Sequence, residues 1–338
     1  MRTLRLLRSG LALLLSVTLL PGCDKPDSDD DSDLVGNWVR SSDFDGNARS
    51  EAVIFTIDDK AYITTGTTDR ERFKDLWEYD VDRKYWSQKA DFEGAARSSA
   101  IGFAVNGKGY VGTGFDGISR LNDMWEYDPA NNRWLRKTNF PGTARQEAVA
   151  FTIGTKAYLS CGFDGNYLKD LWEYNAQTDS WTQKASLGGS KRSSAMAFVL
   201  NDKAYVCSGT NNGTTLGDLW MYDATTNTWT EKNKIYNATD HSFDDKYSIQ
   251  RNNGVAFVLG SSAYVTVGDN GSLVNTTWEY NPSEDKWYRK TDFEGTGRVG
   301  ALAFTLKQRG FVMTGRSGSL SFDNMYEFKP ADKYNKND

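Results

Sequence analysis

Apolar and polar positions along the chain alternate in short runs, and the runs recur. The string Arg-x-x-Ala/Gly-x-x-Phe occurs six times: Arg49/Ala52/Phe55, Arg97/Ala100/Phe103, Arg145/Ala148/Phe151, Arg192/Ala195/Phe198, Arg251/Gly254/Phe257 and Arg298/Ala301/Phe304. Downstream of each Arg stands one aromatic residue, Tyr62, Tyr110, Tyr158, Tyr205, Tyr264 or Phe311. A glycine-bearing loop and an aromatic-x-aromatic pair follow: Trp77/Tyr79, Trp125/Tyr127, Trp172/Tyr174, Trp220/Tyr222, Trp278/Tyr280 and Tyr326/Phe328. Nine residues past the Trp of the first five pairs comes another: Trp86, Trp134, Trp181, Trp229 and Trp287. Short β-rich segments separated by Gly, Asn and Asp turns are strand signals, so each unit predicts four antiparallel strands in an all-β chain.

The units repeat every 47 or 48 residues, except between the fourth and fifth. Six four-stranded units at this period resemble kelch repeats, of the superfamily that includes the galactose-oxidase central domain. That resemblance covers residues 38–328 and implies a six-bladed β-propeller. Small residues such as Gly102, Ala150, Ala197, Ala256 and Ala303 suit inner strands converging on the axis, and Trp and Tyr suit the widening space between blades. Glu78–Lys89, Glu126–Lys137 and Glu173–Lys184 are expected to meet diagonally across the outer hairpins. The sixth unit has no outer Trp, whereas Trp38 stands unpartnered, 48 residues before Trp86. The segment Trp38–Phe44 is therefore expected to supply the outer strand of the last blade and close the ring.

Met1–Gly22 carries Arg2, Arg5 and Arg8, then the apolar run Leu11–Leu20 and small residues, the pattern of a secretion signal. Leu20-Pro21-Gly22-Cys23 resembles the lipobox of bacterial lipoproteins, which implies acylation of Cys23 and an outer-membrane location facing the periplasm or the cell surface. Residues 24–33 hold six Asp and one Lys, a composition that predicts a disordered acidic tether after Cys23. The propeller is then residues 34–338, expected as a monomer. Cys161 and Cys207 are expected on opposite faces of neighbouring sheets, as two buried thiols and not a disulfide.

The 338 residues carry 40 Lys+Arg, 45 Asp+Glu and one histidine, His241, for a net charge of −5. A single histidine rules out His₂ and His₃ metal sites and the two-histidine copper centre of galactose oxidase. The acidic balance argues against nucleic acid as a partner. No loop has the Asp spacing of a dedicated calcium site, so no metal or cofactor is expected.

Function should concentrate on one face. The loops into the inner strands and the loops between second and third strands share it, and all six arginines begin there. In kelch domains, arginines at this position often line the central mouth, which implies Arg49, Arg97, Arg145, Arg192, Arg251 and Arg298 as ligand-binding candidates for a carboxylate or sulfate. The alternative is that they pair with carboxylates such as Asp45, Glu93 and Glu294 and hold blades together. Glu51 and Glu147 break the Ser/Asn/Gly habit two residues past each Arg and join the candidates. So do Tyr236, His241 and Tyr247, within the one long insert, Lys232–Gln250, expected to act as a lid or specificity loop. The expected role is a membrane-anchored binding module for a glycan or an acidic peptide or protein. The alternative is an epimerase resembling periplasmic kelch-type sialic acid mutarotases.

Overall fold

A computed structural model describes residues 34–236 and 249–337; the signal segment, Cys23 and the acidic tether lie outside them. Among the described residues, six four-stranded antiparallel sheets form the blades of a propeller. Blade one comprises Val53–Ile57, Lys60–Thr64, Leu76–Asp80 and Tyr85–Lys89, from the axis outward. Blades two to five repeat this order, with inner strands Ile101–Val105, Val149–Ile153, Met196–Leu200 and Val255–Leu259. The inner strands alternate buried and half-buried positions, as period-two side chains facing opposite sheet surfaces require.

One packing unit recurs at the blade interfaces. The Phe of an inner strand stacks on the aromatic residue of the second strand, as Phe55 does on Tyr62 at 5.4 Å and 13°. The next blade's Tyr127 meets that pair at 5.5 Å from Tyr62, with Trp134 behind it. Phe198 and Tyr205 receive Tyr280 and Trp287 in the same way. Offset and edge-on aromatic contacts of this kind add to the area they bury.

The ring closes on the same unit. Blade six is built from Leu302–Leu306, Arg309–Met313, Met325–Lys333 and, outermost, Val35–Arg40. Trp38 pairs with Phe328 across this junction and packs on Phe257 of blade five at 6.1 Å, filling the place of the missing sixth outer Trp. Its indole donates to Thr291 O at 3.3 Å, as Trp134 donates to Ala90 O at 3.1 Å. The strand begins and ends earlier than the expected Trp38–Phe44. From Ser41 the chain leaves the sheet, and Phe44 folds under blade one against Trp77 and Trp86. Gly36, at φ 117°, permits this start, because a Cβ there would lie 2.7 Å from the Phe328 ring.

The diagonal pairs are present, with Lys89–Glu78 at 3.3 Å, Lys137–Glu126 at 3.4 Å and Lys184–Glu173 at 3.1 Å. Each Glu also accepts the hydroxyl of its second-strand Tyr, such as Tyr62 at 2.7 Å. Cys161 and Cys207 are free and buried in different inter-blade cores. Cys161 sits just past its strand at φ 64°, and burial pushes the Cys207 thiol up to about 12.

Candidate functional site

The six arginines are interior residues. Each is at most 1% exposed. In blade two, Arg97 Nε donates to Ala95 O, and Nη1 to Thr113 O at 2.9 Å. Nη1 and Nη2 also grip Asp123 in a bidentate pair at 2.6 and 2.7 Å. Arg49–Asp75, Arg145–Asp170 and Arg192–Asp218 repeat this geometry in blades one, three and four. The second oxygen of each aspartate takes the indole N–H two residues on, as Asp123 does from Trp125 at 2.8 Å. Burial works to raise the Asp123 carboxyl, but the hydrogen bonds and charge of Arg97 outweigh it and hold the group below the usual carboxylate range. Asp75 and Asp218 behave alike.

This corrects the expectation that Arg49, Arg97, Arg145, Arg192, Arg251 and Arg298 present guanidinium groups to a ligand. A bare guanidinium on the axis would face five others, whereas each gains a bidentate or polar partner by turning into its own blade. The partners are not Asp45, Glu93 or Glu294 but residues two before the third-strand aromatic. The signal was in the sequence as Asp75-x-Trp77, Asp123-x-Trp125, Asp170-x-Trp172 and Asp218-x-Trp220. In blade five the position is Thr276, which accepts from Arg251 through its carbonyl and hydroxyl. In blade six it is Asn324.

The mouth is formed by the residues two past each arginine: Glu51, Ser99, Glu147, Ser194, Asn253 and Gly300. All adopt left-handed φ of 50° to 61°. Their backbones form a circle of hydrogen bonds between blades, Glu51 to Gly300 O, Ser99 to Glu51 O, Glu147 to Ser99 O, Ser194 to Glu147 O and Asn253 to Ser194 O, at 2.8 to 3.1 Å. They enclose an axial throat of about 170 Å³, together with small residues such as Ala52 and Ala148. Glu51 Oε2 accepts from Ser99 at 2.7 Å, and Arg316 approaches Oε1 at 3.6 Å. Glu147 Oε2 accepts from Ser193 and Ser194 at 2.8 Å each, and Oε1 from Gln146 at 2.9 Å. The two candidate carboxylates therefore stand in the throat itself.

A second tier lies above it, made by the residue after each loop glycine: Thr67, Phe115, Phe163, Thr210, Asp269 and Arg316. Gly114 shows why the glycine is needed: it sits at φ 92°, and a Cβ would lie 2.7 Å from Ser98 O. Arg72 lies over the Phe115 ring at 5.2 Å and Arg120 over Phe163 at 4.8 Å, so one side of the mouth carries aromatic faces edged by cations.

Of the insert, the described residues are its two ends. Ile235 and Ile249 are fully buried, and the half-exposed Tyr236 packs on Gly217, where a Cβ would come within 2.1 Å of its ring. His241 and Tyr247 lie outside the described residues.

Residues 137–315 match the KLHDC2/KLHL20/DRC7 kelch-repeats domain. The chain belongs to the kelch-repeat family. Among solved structures this kelch chain is similar to that titled "Structure of YjhT", at a TM-score of 0.70 and 18% identity over 84% of this chain and 95% of that one. At that identity the likeness concerns the fold. No curated protein matches the sequence.

Proposed function

We propose that the protein is an extracytoplasmic, membrane-anchored binding module that takes a glycan at the throat formed by Glu51, Ser99, Glu147, Ser194 and Asn253. One observation carries this reading. Blade six places Gly300 in the same backbone ring, so the fold needs no side chain at these positions, yet five blades supply hydrogen-bonding groups. Carboxylates, hydroxyls and an amide converging in a concave site suit sugar hydroxyls, and Phe115 and Phe163 offer apolar faces to sugar C–H groups. Two carboxylates in one throat repel an anion centred there, so a polyhydroxylated ligand is favoured over an acidic peptide on the axis. The arginine-rich leader, Cys23 and the acidic run 24–33 support an outer-membrane lipoprotein facing the periplasm or the cell surface.

An array of neutral glycans, acidic glycans and acidic peptides probed with the purified protein tests the reading. Glycans retained by the parent and lost by Glu51→Gln/Glu147→Gln support it. Retention of acidic peptides alone, equal in the two proteins, overturns it. The epimerase alternative draws on the same two carboxylates. It requires that the protein accelerate anomer exchange of a reducing sugar followed by NMR, and that the double variant lose this.

A further inference from the structure

Blades three and four break the repeat together, and the breaks make a groove. Two adjoining cavities of about 460 and 570 Å³ share Lys191 and Asn211 on the mouth face. One wall is the Phe163–Tyr167 aromatic pair, 5.1 Å between centroids; the other is the Asn211–Asn212 turn. The blade-three loop is one residue shorter than its neighbours: Arg145 and Asp170 are 25 residues apart, against 26 for Arg97 and Asp123.

Two substitutions shift the groove's charge in the same direction. The residue before the inner-strand arginine is Ala48, Ala96, Ala144 or Gly297 in four blades, but Lys191 here. Where other blades carry Asp45, Glu93 or Glu294 between Phe and Gly, this one has Gly188. That position is closed to any side chain, since a Cβ would lie 2.3 Å from the Trp220 ring. Lys191 is exposed and makes no hydrogen bond or ion pair among the described residues. Among the described residues, Lys169, in the second cavity, donates only to the neutral Gly189 carbonyl at 3.3 Å. The acids that line the second cavity among the described residues are already engaged, Asp218 by Arg192 and Glu231 by Lys234. The groove is thus cationic beside an acidic throat.

It is also continuous with that throat. Phe163 pairs in backbone with Gln146, next to Glu147, and Thr210 with Ser193, next to Ser194. We propose that this groove is an outer subsite for the acidic units of a uronate-bearing oligosaccharide whose uncharged part occupies the throat. The proposal rests on the glycan reading and adds to it the ligand's charge and the direction in which it lies. Lys191 and Lys169 act as point charges toward the sugar carboxylates, and the Phe163–Tyr167 wall carries the ring faces.

Calorimetric titration of the purified protein with a galactotriose carrying galacturonate in place of one terminal galactose, and with uncharged galactotriose, tests it. The parent is expected to bind the uronate-bearing trisaccharide about tenfold more tightly at low salt. Lys169→Ala/Lys191→Ala should remove that preference, leaving galactotriose affinity and melting temperature unchanged. About 1 M NaCl should do the same, since it shortens the screening length to about 3 Å. Lys191→Glu alone should turn the preference against the charged sugar. Glu147→Gln should weaken both sugars. Equal binding of the two sugars by the parent, or a preference that survives loss of both lysines, overturns the subsite and leaves the throat reading standing. Binding of neither sugar by the parent overturns the subsite together with the galactoside form of the throat reading.

Discussion

Arg298 Nη1 donates to Asn324 Oδ1 at 2.7 Å, in the place where blades one to four set an aspartate that takes both terminal nitrogens of its arginine. The guanidinium is fully buried without a carboxylate, and Nη2 finds no acceptor among the described residues. Burial pushes its pKa down to about 10. Blade six, the one closed by two separated segments of chain, therefore also carries an incomplete internal bridge.

Asn324→Asp should complete that bridge. Hydrogen bonds to charged groups contribute roughly 1.5–3 kcal/mol, and desolvation of the new carboxylate offsets part of this, so a gain of about 1–2 kcal/mol is expected. Urea denaturation of parent and variant measures it. An unchanged or lower midpoint would mean that Arg298 is already satisfied.

Arg97→Ala should do the opposite. Removing one member of a buried ion pair costs roughly 3–5 kcal/mol, because Asp123 stays largely enclosed with only Trp125 as a donor. Glu147→Gln keeps a hydrogen-bonding side chain in the open throat and should cost less than about 1 kcal/mol. A thermal melt of the two variants separates the structural arginine from the mouth carboxylate.

The closing contact is testable in isolation. Trp38 is fully buried between Phe257, Phe293 and Phe328. Trp38→Ala should cost roughly 3–5 kcal/mol, the range for large-to-small changes in cores. A variant melting within a degree or two of the parent would show that blade six holds without its N-terminal strand.

Acid should unfold the ring through its bridges. Arg49, Arg97 and Arg192 hold Asp75, Asp123 and Asp218 below the usual range against the effect of burial, and hydrogen bonds from Lys60 and Lys108 bring Asp80 and Asp128 to about 2. The unfolded value is about 3.9, so the folded chain binds these protons more weakly and protonation favours unfolding. Stability from these groups is fully present above about pH 5 and is lost as pH falls through 4 toward 2. Urea midpoints should agree at pH 7 and 5 and drop at pH 3. A midpoint at pH 3 equal to that at pH 7 would contradict this.

Repetition makes the fold legible. Six copies of one aromatic pattern fix strand number and blade packing, and the displaced Trp38 reveals the closure, because a missing aromatic leaves a hole that only one residue elsewhere matches. The arginine partners are less legible. Arg97 and Asp123 stand 26 residues apart, in the loops that lead into the first and third strands of blade two, and only the folded blade brings these loop ends together. Reading the nearest acids in sequence points to Glu93, which leads away from the blade interior. Glu51 and Glu147 can be found as departures from the repeat. The groove cannot be found so directly, because Lys191 and Gly188 depart from the repeat in sequence but only the fold sets them beside Phe163, Tyr167 and Asn211. The central section of the insert, with His241 and Tyr247, lies outside the described residues.

The most direct test of the central claim is one titration, in which a glycan selected on the array is added to the parent and to Glu51→Gln/Glu147→Gln under identical conditions. The account predicts that the double variant loses at least tenfold in affinity while its melting temperature stays within a few degrees of the parent. Undiminished binding by a folded double variant would show that the throat is not the site.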